Sequence, residues 1–553
     1  MKHHPKKNMG DRERPSGEIP DVLQRDLDNG FDSGISSWKA ISPLMIKKAL
    51  LNSRYLQILI AVTFVGLFLR FYQITSNCLW LDEAYTYFFS KNTFIDIWFI
   101  TVYGEFSPPL FYWIEHFMLY LGNNEFILRF APAVLGTCTI PLMYFLGKEF
   151  MDRNCGIIMA ALLTFSPFHI FYSQEARAYT TMLFFFTFAL IFYLRALRNN
   201  DWKSWVFFGL LSGLAVWSHY FAFIPVLLLF GIAVCLNIRK IRDEVRFIIP
   251  LSKGAFSFFV VSLPLLFVVG DLFHEKTKTA PTWGYQGLKL IFETLHNLSG
   301  YLSGHTIGIV MIVFLALFVI GVLTIFVIER DKAFFLLAMI LIPLALCWGL
   351  SYRMPMEERY LFYLIPFYFM GIAASYRTIF KLAKSKRGVY LFILVLVVLP
   401  MPVLMSYYQT PVKSDWRGLS LTIRENVQPG DFIVLLPACI LLPFDYYYQN
   451  QTTEVQTFGT ASMVHIEDSQ PVDYHYQNQT TGIHEFGVIT IPQLEEILLK
   501  KGENRIFYIA TRYIDDYDPT IRPWLNNHAI QVNKHLEPDA TYAYNYIDLY
   551  ISI

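Results

Sequence analysis

Long apolar segments with almost no charged residues recur along most of this sequence. Each is about 20 residues long, the length that an α-helix needs to cross the hydrocarbon layer of a bilayer. Of the 553 residues 54% are hydrophobic and only 16% are charged, so a water-soluble fold of this size would expose too much apolar surface. The pattern therefore predicts an α-helical polytopic membrane protein. We place eleven spans near residues 56–74, 126–147, 155–173, 179–198, 203–218, 220–238, 247–270, 305–328, 333–350, 360–379 and 388–406.

One further apolar segment, residues 108–122 ("PPLFYWIEHFMLYLG"), is too short to be a span and contains two ionisable side chains. At 1.5 Å per residue it would reach only about 22 Å as a helix. We interpret it as a helix that lies at the membrane interface. Adding it to the spans would also reverse the sidedness of every connection that follows it.

Basic residues are concentrated in alternate connections between the spans. Cytoplasmic loops carry an excess of Lys and Arg, which predicts a cytoplasmic N-terminus in the cell (plasma or inner) membrane. The basic connections contain Lys148 and Arg153; Arg195, Arg198 and Lys203; Arg239, Lys240, Arg242 and Arg246; Arg330 and Lys332; and Lys381, Lys384, Lys386 and Arg387. The acidic and mixed connections then lie on the extracytoplasmic side.

Three parts of the chain differ in composition. Residues 1–50 are mostly polar and without periodicity, and we interpret them as a disordered cytoplasmic tail. Residues 51–406 form the predicted membrane domain. Residues 407–553 alternate strand-like and helical patterns, which predicts a small extracytoplasmic α/β domain. This last part carries a duplicated segment, "DYYYQNQTT" at 445–453 and "DYHYQNQTT" at 473–481.

Ionisable residues gather in the predicted extracytoplasmic connections. Charged groups at membrane depth are costly, so a cluster of them is a candidate functional site. Arginine can hold a lipid-borne phosphate through paired hydrogen bonds, and a nearby carboxylate can accept a proton from an attacking hydroxyl or amine. A structural alternative pairs Arg177 with Glu175, and Arg359 with Glu358. The candidates are Asp82, Glu83, Glu175, Arg177, His219, Arg353, Glu358, Arg359 and Tyr360.

An ordered series of motifs between residues 55 and 400 resembles glycosyltransferase family 39, which includes protein O-mannosyltransferases and lipid A aminoarabinose transferases. The resemblance implies the multi-spanning GT-C fold and sugar transfer from a polyprenyl-phosphate carrier to an extracytoplasmic acceptor. The C-terminal part fits the prokaryotic branch of this group. The motifs are "LWLDEAYTY", "SPPLFYW", "ILRFAPAVLGTCTIPLMYFLGKEF", "SPFHIFYSQEARAYT" and "ERYLFYLIPF".

The same resemblance assigns roles to individual residues. Asp82 and Glu83 match an Asp-Glu pair in the family's first outer loop, of which the Asp is regarded as catalytic. We predict Asp82 and Glu83 as the catalytic residues, with Asp82 as the carboxylate of an inverting displacement. Arg177 matches an Arg near the family's Glu-Ala-Arg-Tyr segment, and Arg359 and Tyr360 match its Arg-Tyr before a late span. We predict that these three residues bind the donor phosphate. No cofactor is required, because the arginines supply positive charge; a bound divalent ion is left open. The secondary candidates are Glu175, His219, Glu358 and Arg353.

Two other classes of function remain open at this point. A transporter or flippase of a lipid-linked sugar would also need many spans and basic groups near the membrane. A non-catalytic membrane scaffold would present only the C-terminal part. For the transferase, the expected partners are a polyprenyl-phosphate sugar, an acceptor that is a lipid, a glycan or a protein, and the bilayer, with no nucleic acid.

Overall fold

The computed structural model of this protein is mostly helical. The predicted tail and the second copy of the duplicated segment lie outside the residues that it describes, and the domain boundaries after residues 50 and 406 stay predictions. The described residues are 53–300, 308–383, 387–410, 413–426, 432–436, 440–450, 462–465, 505–511, 529–534 and 545–552. The α-helices run over Arg54–Phe71, Leu81–Ser90, Phe94–Phe99, Leu110–Met118, Glu125–Phe150, Arg153–Thr164, Pro167–Ser173, Tyr179–Asn199, Trp202–Ser218, Phe223–Asp243, Ile249–Thr277, Leu288–Leu298, Gly308–Ile328, Arg330–Leu350, Ile365–Ala374, Tyr376–Ala383, Arg387–Val398, Met401–Gln409, Trp416–Asn426 and Leu441–Asn450.

Within the described ranges, eight helical segments are long and apolar enough to cross a membrane, or nine if one bent pair of helices counts as a single span. They make the chain a multi-pass membrane protein. Their outer surfaces are apolar: Phe64 is 66% exposed, Phe267 75% and Val327 85%, as expected for side chains that face lipid. The eight segments are Arg54–Phe71, Glu125–Phe150, Tyr179–Asn199, Tyr220–Asp243, Ile249–Thr277, Gly308–Ile328, Arg330–Leu350 and Leu391–Gln409.

The predicted count of eleven spans is therefore not confirmed by the described residues. The predicted span 203–218 is a helix of 17 residues, Trp202–Ser218. The predicted span 360–379 divides into a 3-10 segment, Glu358–Leu364, and the short helix Ile365–Ala374. The predicted interfacial segment contains a helix of nine residues, Leu110–Met118.

The predicted span 155–173 is broken into two helices that meet at 60°, Arg153–Thr164 and Pro167–Ser173. Pro167 explains the break, because proline cannot continue a helix but is well suited to begin one. The hydroxyl of Ser166 accepts a hydrogen bond from the backbone N–H of His169 at 3.3 Å and so caps the second helix. The second helix, Pro167–Ser173, leads directly into the connection that contains Glu175 and Arg177.

Arg70, near the end of the first span, satisfies polar groups on both sides of this break. Its guanidinium donates to the carbonyls of Gly66 (2.9 Å) and Leu163 (3.0 Å) and lies 2.8 Å from Nδ1 of His169. The arginine is completely buried. Because a membrane interior offers no water to an interrupted helix, such internal partners are required there.

Gln174 fastens the connection after the broken span to the end of the first span. Its side-chain amide donates to the carbonyls of Leu69 (3.3 Å), Arg70 (3.1 Å) and Tyr72 (2.8 Å). Its carbonyl oxygen accepts a hydrogen bond from the Tyr407 hydroxyl at 2.6 Å. These bonds satisfy carbonyls that a helix terminus leaves without intrahelical partners.

Two glycines allow the helices Trp202–Ser218 and Ile249–Thr277 to pack at close range. A Cβ atom at Gly209 would lie 2.2 Å from the Gly254 carbonyl oxygen, and one at Gly213 would lie 2.5 Å from Val261. Small residues four apart permit such an approach between membrane helices. A larger side chain at Gly209 would force the two helices apart.

Five strands of the C-terminal part form one mixed sheet: β1 Phe432–Leu436, β2 Ser462–His465, β3 Arg505–Thr511, β4 Ala529–Lys534 and β5 Asn545–Ser552, in the order β2-β1-β3-β5-β4. Strand β1 is parallel to β2 and β3, and β5 is antiparallel to β3 and β4. Strands β1, β3 and β5 coincide with the strand-like sequence segments "DFIVLLP", "NRIFYIA" and "YIDLYISI". A separate α/β domain on the extracytoplasmic side stays a prediction.

The C-terminal part shares a hydrophobic core with the helix Leu81–Ser90 and its surroundings. Buried residues of the sheet and of the helices beside it pack against side chains that precede, or lie within, that helix. The shared core comprises Cys78, Leu79, Tyr87, Phe88, Leu128, Ala176, Trp416, Leu419, Ile423, Ile433, Ile440, Phe444, Tyr446, Tyr447, Phe507 and Ile509. Burial of these apolar groups fixes the helix from one side.

Candidate active site

Asp82 lies in the first turn of the helix Leu81–Ser90, which we call the Asp82 helix. The preceding residue, Trp80, has extended backbone geometry, and its N–H donates to the Glu83 carboxylate at 3.3 Å. Two acidic residues at this end interact favourably with the helix dipole. The local sequence therefore explains why the helix begins at Leu81, which places Asp82 and Glu83 in its first turn.

Two arginines from distant segments contact Asp82. Nη1 of Arg359 donates to Oδ2 of Asp82 at 2.8 Å, and Nε of Arg177 lies 4.0 Å from the same oxygen. Arg177 also donates to the backbone carbonyl of Asp82 at 3.3 Å. Oδ1 of Asp82 has no hydrogen bond to the part of the chain that the structure describes, and the side chain is 18% exposed. Asp82 is thus a reachable carboxylate with a free oxygen.

Each arginine also has a second acidic partner. Arg177 lies 3.2 Å from Glu105 and donates to the Tyr112 hydroxyl at 3.1 Å. Arg359 lies 2.5 Å from Glu357. Both guanidinium groups are nearly buried, at 12% and 9% exposure. Fixed guanidinium groups of this kind are well suited to bind a phosphate in place of a carboxylate.

Glu83, the neighbour of Asp82, points into the protein and is completely buried. Its two oxygens accept hydrogen bonds from Arg129 at 2.8 and 2.9 Å, from Lys413 at 2.7 Å and from the backbone N–H of Ala176 at 2.9 Å. Because Ala176 precedes Arg177, this carboxylate ties the Asp82 helix to the segment that carries one of the two arginines.

The surroundings shift the pKa of several carboxyl groups in opposite directions. Burial alone would raise the pKa of Glu83, but Arg129 and Lys413 outweigh it and lower the pKa to about 2. Burial raises the pKa of Glu175 to about 7 despite the nearby Lys413. Burial also raises the pKa of Glu105 and of Glu357, each partly offset by its arginine. Glu83 is therefore a permanent anion, whereas Glu175 titrates near neutral pH.

Glu175 does not pair with Arg177, contrary to the structural alternative. One of its oxygens accepts a hydrogen bond from the Trp80 indole N–H, and the other has no partner among the described residues. The Arg359 guanidinium carbon lies 5.2 Å from the centre of the Trp80 ring, a distance typical of a cation–π contact. Trp80 thus links the buried acid to the second arginine.

His219 and Tyr360 border the arginines as part of an aromatic group. The His219 ring centre lies 5.6 Å from that of Tyr360 and 5.5 Å from that of Tyr179, and Tyr360 stacks on Phe221 at 5.1 Å. Burial lowers the pKa of His219 to about 3, with a further contribution from the charges of Arg177 and Arg359. His219 is therefore a neutral imidazole at physiological pH.

Two secondary candidates stand apart from Asp82. Arg353 is exposed and contributes no ion pair to the cluster within the described ranges. Glu358 is half-buried, and burial, with help from the charge of Glu357, raises its pKa to about 7. Arg359 pairs with Asp82 and Glu357 rather than with Glu358, so the second structural alternative is not observed either.

The sequence did not single out Arg129, Lys413 or Glu105 as members of this site. Arg129 could have been recognised from the sequence, because an arginine within an apolar span is unusual. No sequence feature indicated Lys413, which is 330 residues from Glu83 along the chain. Among the described residues, no three His, Cys, Asp or Glu side chains are grouped in a way that would hold a metal ion.

The site therefore defines a class of protein: a multi-pass membrane protein in which a partly exposed carboxylate, that of Asp82, lies between two arginines. A family model described as "Dolichyl-phosphate-mannose-protein mannosyltransferase" matches residues 107–267. That range is less than a third of the chain. No curated protein sequence matches the chain significantly.

Two solved structures share this fold over most of their length. The structure of ArnT from Cupriavidus metallidurans in the apo state has a TM-score of 0.54 and 12% sequence identity, covering 90% of this chain and 97% of that chain. The structure of the same protein bound to undecaprenyl phosphate has a TM-score of 0.51 and 11% identity, with the same coverage. The family match and this fold together support a membrane glycosyltransferase of the GT-C type.

Proposed function

We propose that this protein transfers a sugar from a polyprenyl-phosphate-linked donor to an extracytoplasmic acceptor, with inversion at the anomeric carbon. The observation that carries the proposal is the placement of Asp82 between Arg359 and Arg177. A glycosyl phosphate requires positive charge at its leaving group and a base at its acceptor, and these three residues offer both. The ArnT fold supports the choice of donor, because ArnT has been observed with undecaprenyl phosphate bound.

In the proposed reaction, the donor phosphate binds the two guanidinium groups. Asp82 accepts the proton of the acceptor hydroxyl or amine through its free oxygen, while the acceptor atom attacks the anomeric carbon. The bond between that carbon and the phosphate oxygen breaks, and the electron pair leaves with the lipid phosphate. Arg359 and Arg177 stabilise the charge that develops there.

The remaining predicted residues take supporting roles in this proposal. Glu83, predicted together with Asp82 as a catalytic residue, is a positioning residue in this proposal, because protein donors occupy both of its oxygens. Tyr360 and His219 shape the aromatic border of the arginine site. The sugar is a hexose or a pentose, the acceptor is a lipid, a glycan or a protein, and the N-terminus is cytoplasmic, as the distribution of basic residues predicts.

The direct test uses purified full-length protein in detergent, where transport across a membrane is impossible. Polyprenyl phosphates that carry a labelled hexose or pentose are supplied together with a cell-envelope extract, and transfer of the label and release of polyprenyl phosphate are measured. We expect turnover by the wild type and a loss of at least about a hundredfold in Asp82→Asn.

The matched control is Asp96→Asn, which changes an exposed aspartate in the next helix and should leave turnover unchanged. Full activity of Asp82→Asn would remove Asp82 from the mechanism. A wild-type protein that binds these donors but never consumes them would instead favour a flippase.

A further inference from the structure

Lys413, which follows the last membrane segment, lies within the charge network behind Asp82. Its ammonium group is 2.7 Å from Oε2 of Glu83, and the side chain is only 8% exposed. It also lies 5.9 Å from the ring centre of Trp80 and 5.5 Å from that of Phe171. A lysine buried in this way needs compensating charge, which Glu83 supplies.

The segment that delivers Lys413 is fastened to the residues preceding the Asp82 helix. Asp415 accepts a hydrogen bond from the Cys78 thiol at 3.4 Å. Arg417 pairs with Glu125 at 2.5 Å, and the same Glu125 oxygen accepts a hydrogen bond from Tyr447 at 2.9 Å. Lys413 is therefore held in place by several contacts of its own segment.

Two tyrosines of the helix Leu441–Asn450 also form hydrogen bonds to backbone groups near the active site. The backbone N–H of Leu79 donates to the Tyr447 hydroxyl at 2.6 Å, and Tyr446 donates to the carbonyl of Asn123 at 2.7 Å. Both partners lie close in sequence to residues of the site. The C-terminal part thus contacts the active site through directed polar bonds as well as through the shared apolar core.

From this arrangement we infer that Lys413 is a positioning residue for sugar transfer, supplied to the active site by the segment that follows the last span. The inference rests on the proposed function and adds to it. Among the described residues, the ammonium group of Lys413 pairs with Glu83, whereas the ion pairs of Asp82 are with Arg359 and Arg177. Lys413 acts through Glu83 and Trp80, each of which contacts a residue of the reaction centre.

The first route runs through Glu83. This carboxylate holds the N–H groups of Trp80 and Ala176, and thereby the start of the Asp82 helix and the backbone beside Arg177. Without Lys413, one of its oxygens loses its nearest cation. The relative position of Asp82 and Arg177 is then less firmly fixed. Small displacements of reacting groups lower the reaction rate by large factors.

The second route runs through Trp80. Lys413 and Arg359 both lie over the indole ring, whose N–H donates to Glu175. Four charged groups act on Glu175: Lys413 and Arg359 favour its ionised form, whereas Glu83 and Asp82 disfavour it. Of these charges, Lys413 has the largest influence. Removing it favours protonation of Glu175 and alters the support of the Trp80 ring on which Arg359 rests.

The experiment compares Lys413→Met, Lys413→Arg and the control Lys203→Met, which changes an exposed lysine, in full-length protein. Turnover of a polyprenyl-phosphate sugar is measured per folded molecule, across pH 5.5 to 9. We expect Lys413→Met to lower kcat by about tenfold or more while KM for the donor changes by less than about threefold. Lys413→Arg should recover most of kcat, and Lys203→Met should match the wild type.

The pH profile separates positioning from a purely structural role. In Lys413→Met, the midpoint that reflects Glu175 should move to higher pH, and adding Glu175→Gln should remove this midpoint in either background. A purely structural lysine would change only the yield of folded protein. A kcat within twofold of the wild type, or an unmoved midpoint, would overturn the inference but leave the proposed function intact. Absence of transfer by the wild type would overturn both.

Discussion

Glu83 and Arg129 form a buried ion pair joined by two hydrogen bonds, of 2.8 and 2.9 Å. Arg129 belongs to the span Glu125–Phe150, and both side chains are essentially inaccessible to solvent. The pair fixes the Asp82 helix to a membrane span in a single orientation. This geometry makes Asp82, the adjacent residue, the accessible one of the two acids.

Replacing Glu83 with Gln should destabilise the folded protein by about 3–5 kcal/mol, because Arg129 and Lys413 would remain buried without their counterion. The measurement is thermal unfolding of the purified protein in detergent. Glu275→Gln is the control, since Glu275 pairs with Lys278 in an exposed position and its loss should have no measurable effect. Equal stability of the two variants would contradict the anchoring role of Glu83.

Arg359→Lys should lower kcat/KM by about a hundredfold, although the positive charge is retained. A lysine cannot reach Asp82 and Glu357 together or stack in the same way over Trp80. Steady-state transfer assays would measure this effect. Arg353→Lys, six residues earlier at an exposed position, should behave as the wild type. If both variants keep full activity, the guanidinium of Arg359 is not needed at the leaving phosphate.

The contribution of Glu175 to the stability of the folded state should decline as the pH rises from about 5 to 8, whereas His219, whose pKa is lowered to about 3, acts in the opposite direction below pH 6.5. The pKa of Glu175 is raised by burial from 4.5 to about 7, so the folded protein retains a proton that the unfolded chain has already released. Its contribution is fully present below pH 4.5 and is lost as the pH passes through 7. Glu358, whose pKa burial also raises to about 7, acts in the same direction.

Glu175→Gln should therefore make the unfolding temperature less dependent on pH, by about a few degrees across this range. Unfolding temperatures of the wild type and the variant at pH 5 and pH 8 measure the difference. An unchanged slope in Glu175→Gln would show that Glu175 is not protonated in the folded protein near neutral pH.

His219→Phe should retain transfer activity to within about tenfold of the wild type. The pKa of His219 is lowered to about 3 by burial and by the two arginines, so the imidazole is neutral and poorly suited to transfer protons between pH 6 and 8. Phenylalanine preserves the ring contacts to Tyr179 and Tyr360. A proton-transfer role would instead produce a loss of about 10²–10⁴-fold, which kinetic assays would readily detect.

The sequence predicted that Asp82, Arg177 and Arg359 lie together, because all three sit at span ends on the same predicted side. It did not distinguish the roles of Asp82 and Glu83. Successive residues on a helix point about 100° apart, and only the tertiary fold decides which of the two faces the interior. The structure places Asp82 towards the arginines and Glu83 into the protein.

The number of spans was harder to predict, because hydropathy does not reveal where a helix breaks. The turn at Ser166 and Pro167 redirects one predicted span, and the 3-10 segment before Ile365 shortens another. Lys413 was beyond prediction for a different reason. It reaches Glu83 only because Trp416, Tyr446 and their neighbours share a core with the Asp82 helix.

Gln174 connects the active site to the end of the first span, so that binding of a ligand should change hydrogen exchange there. Its amide holds the carbonyls at the end of the first span, and it lies three residues before Arg177. We therefore expect fraying of that helical end to be coupled to displacement of Arg177. Deuterium uptake at residues 69–72 would accordingly slow when a phosphate-bearing lipid occupies the site, even though none of these residues contacts Asp82.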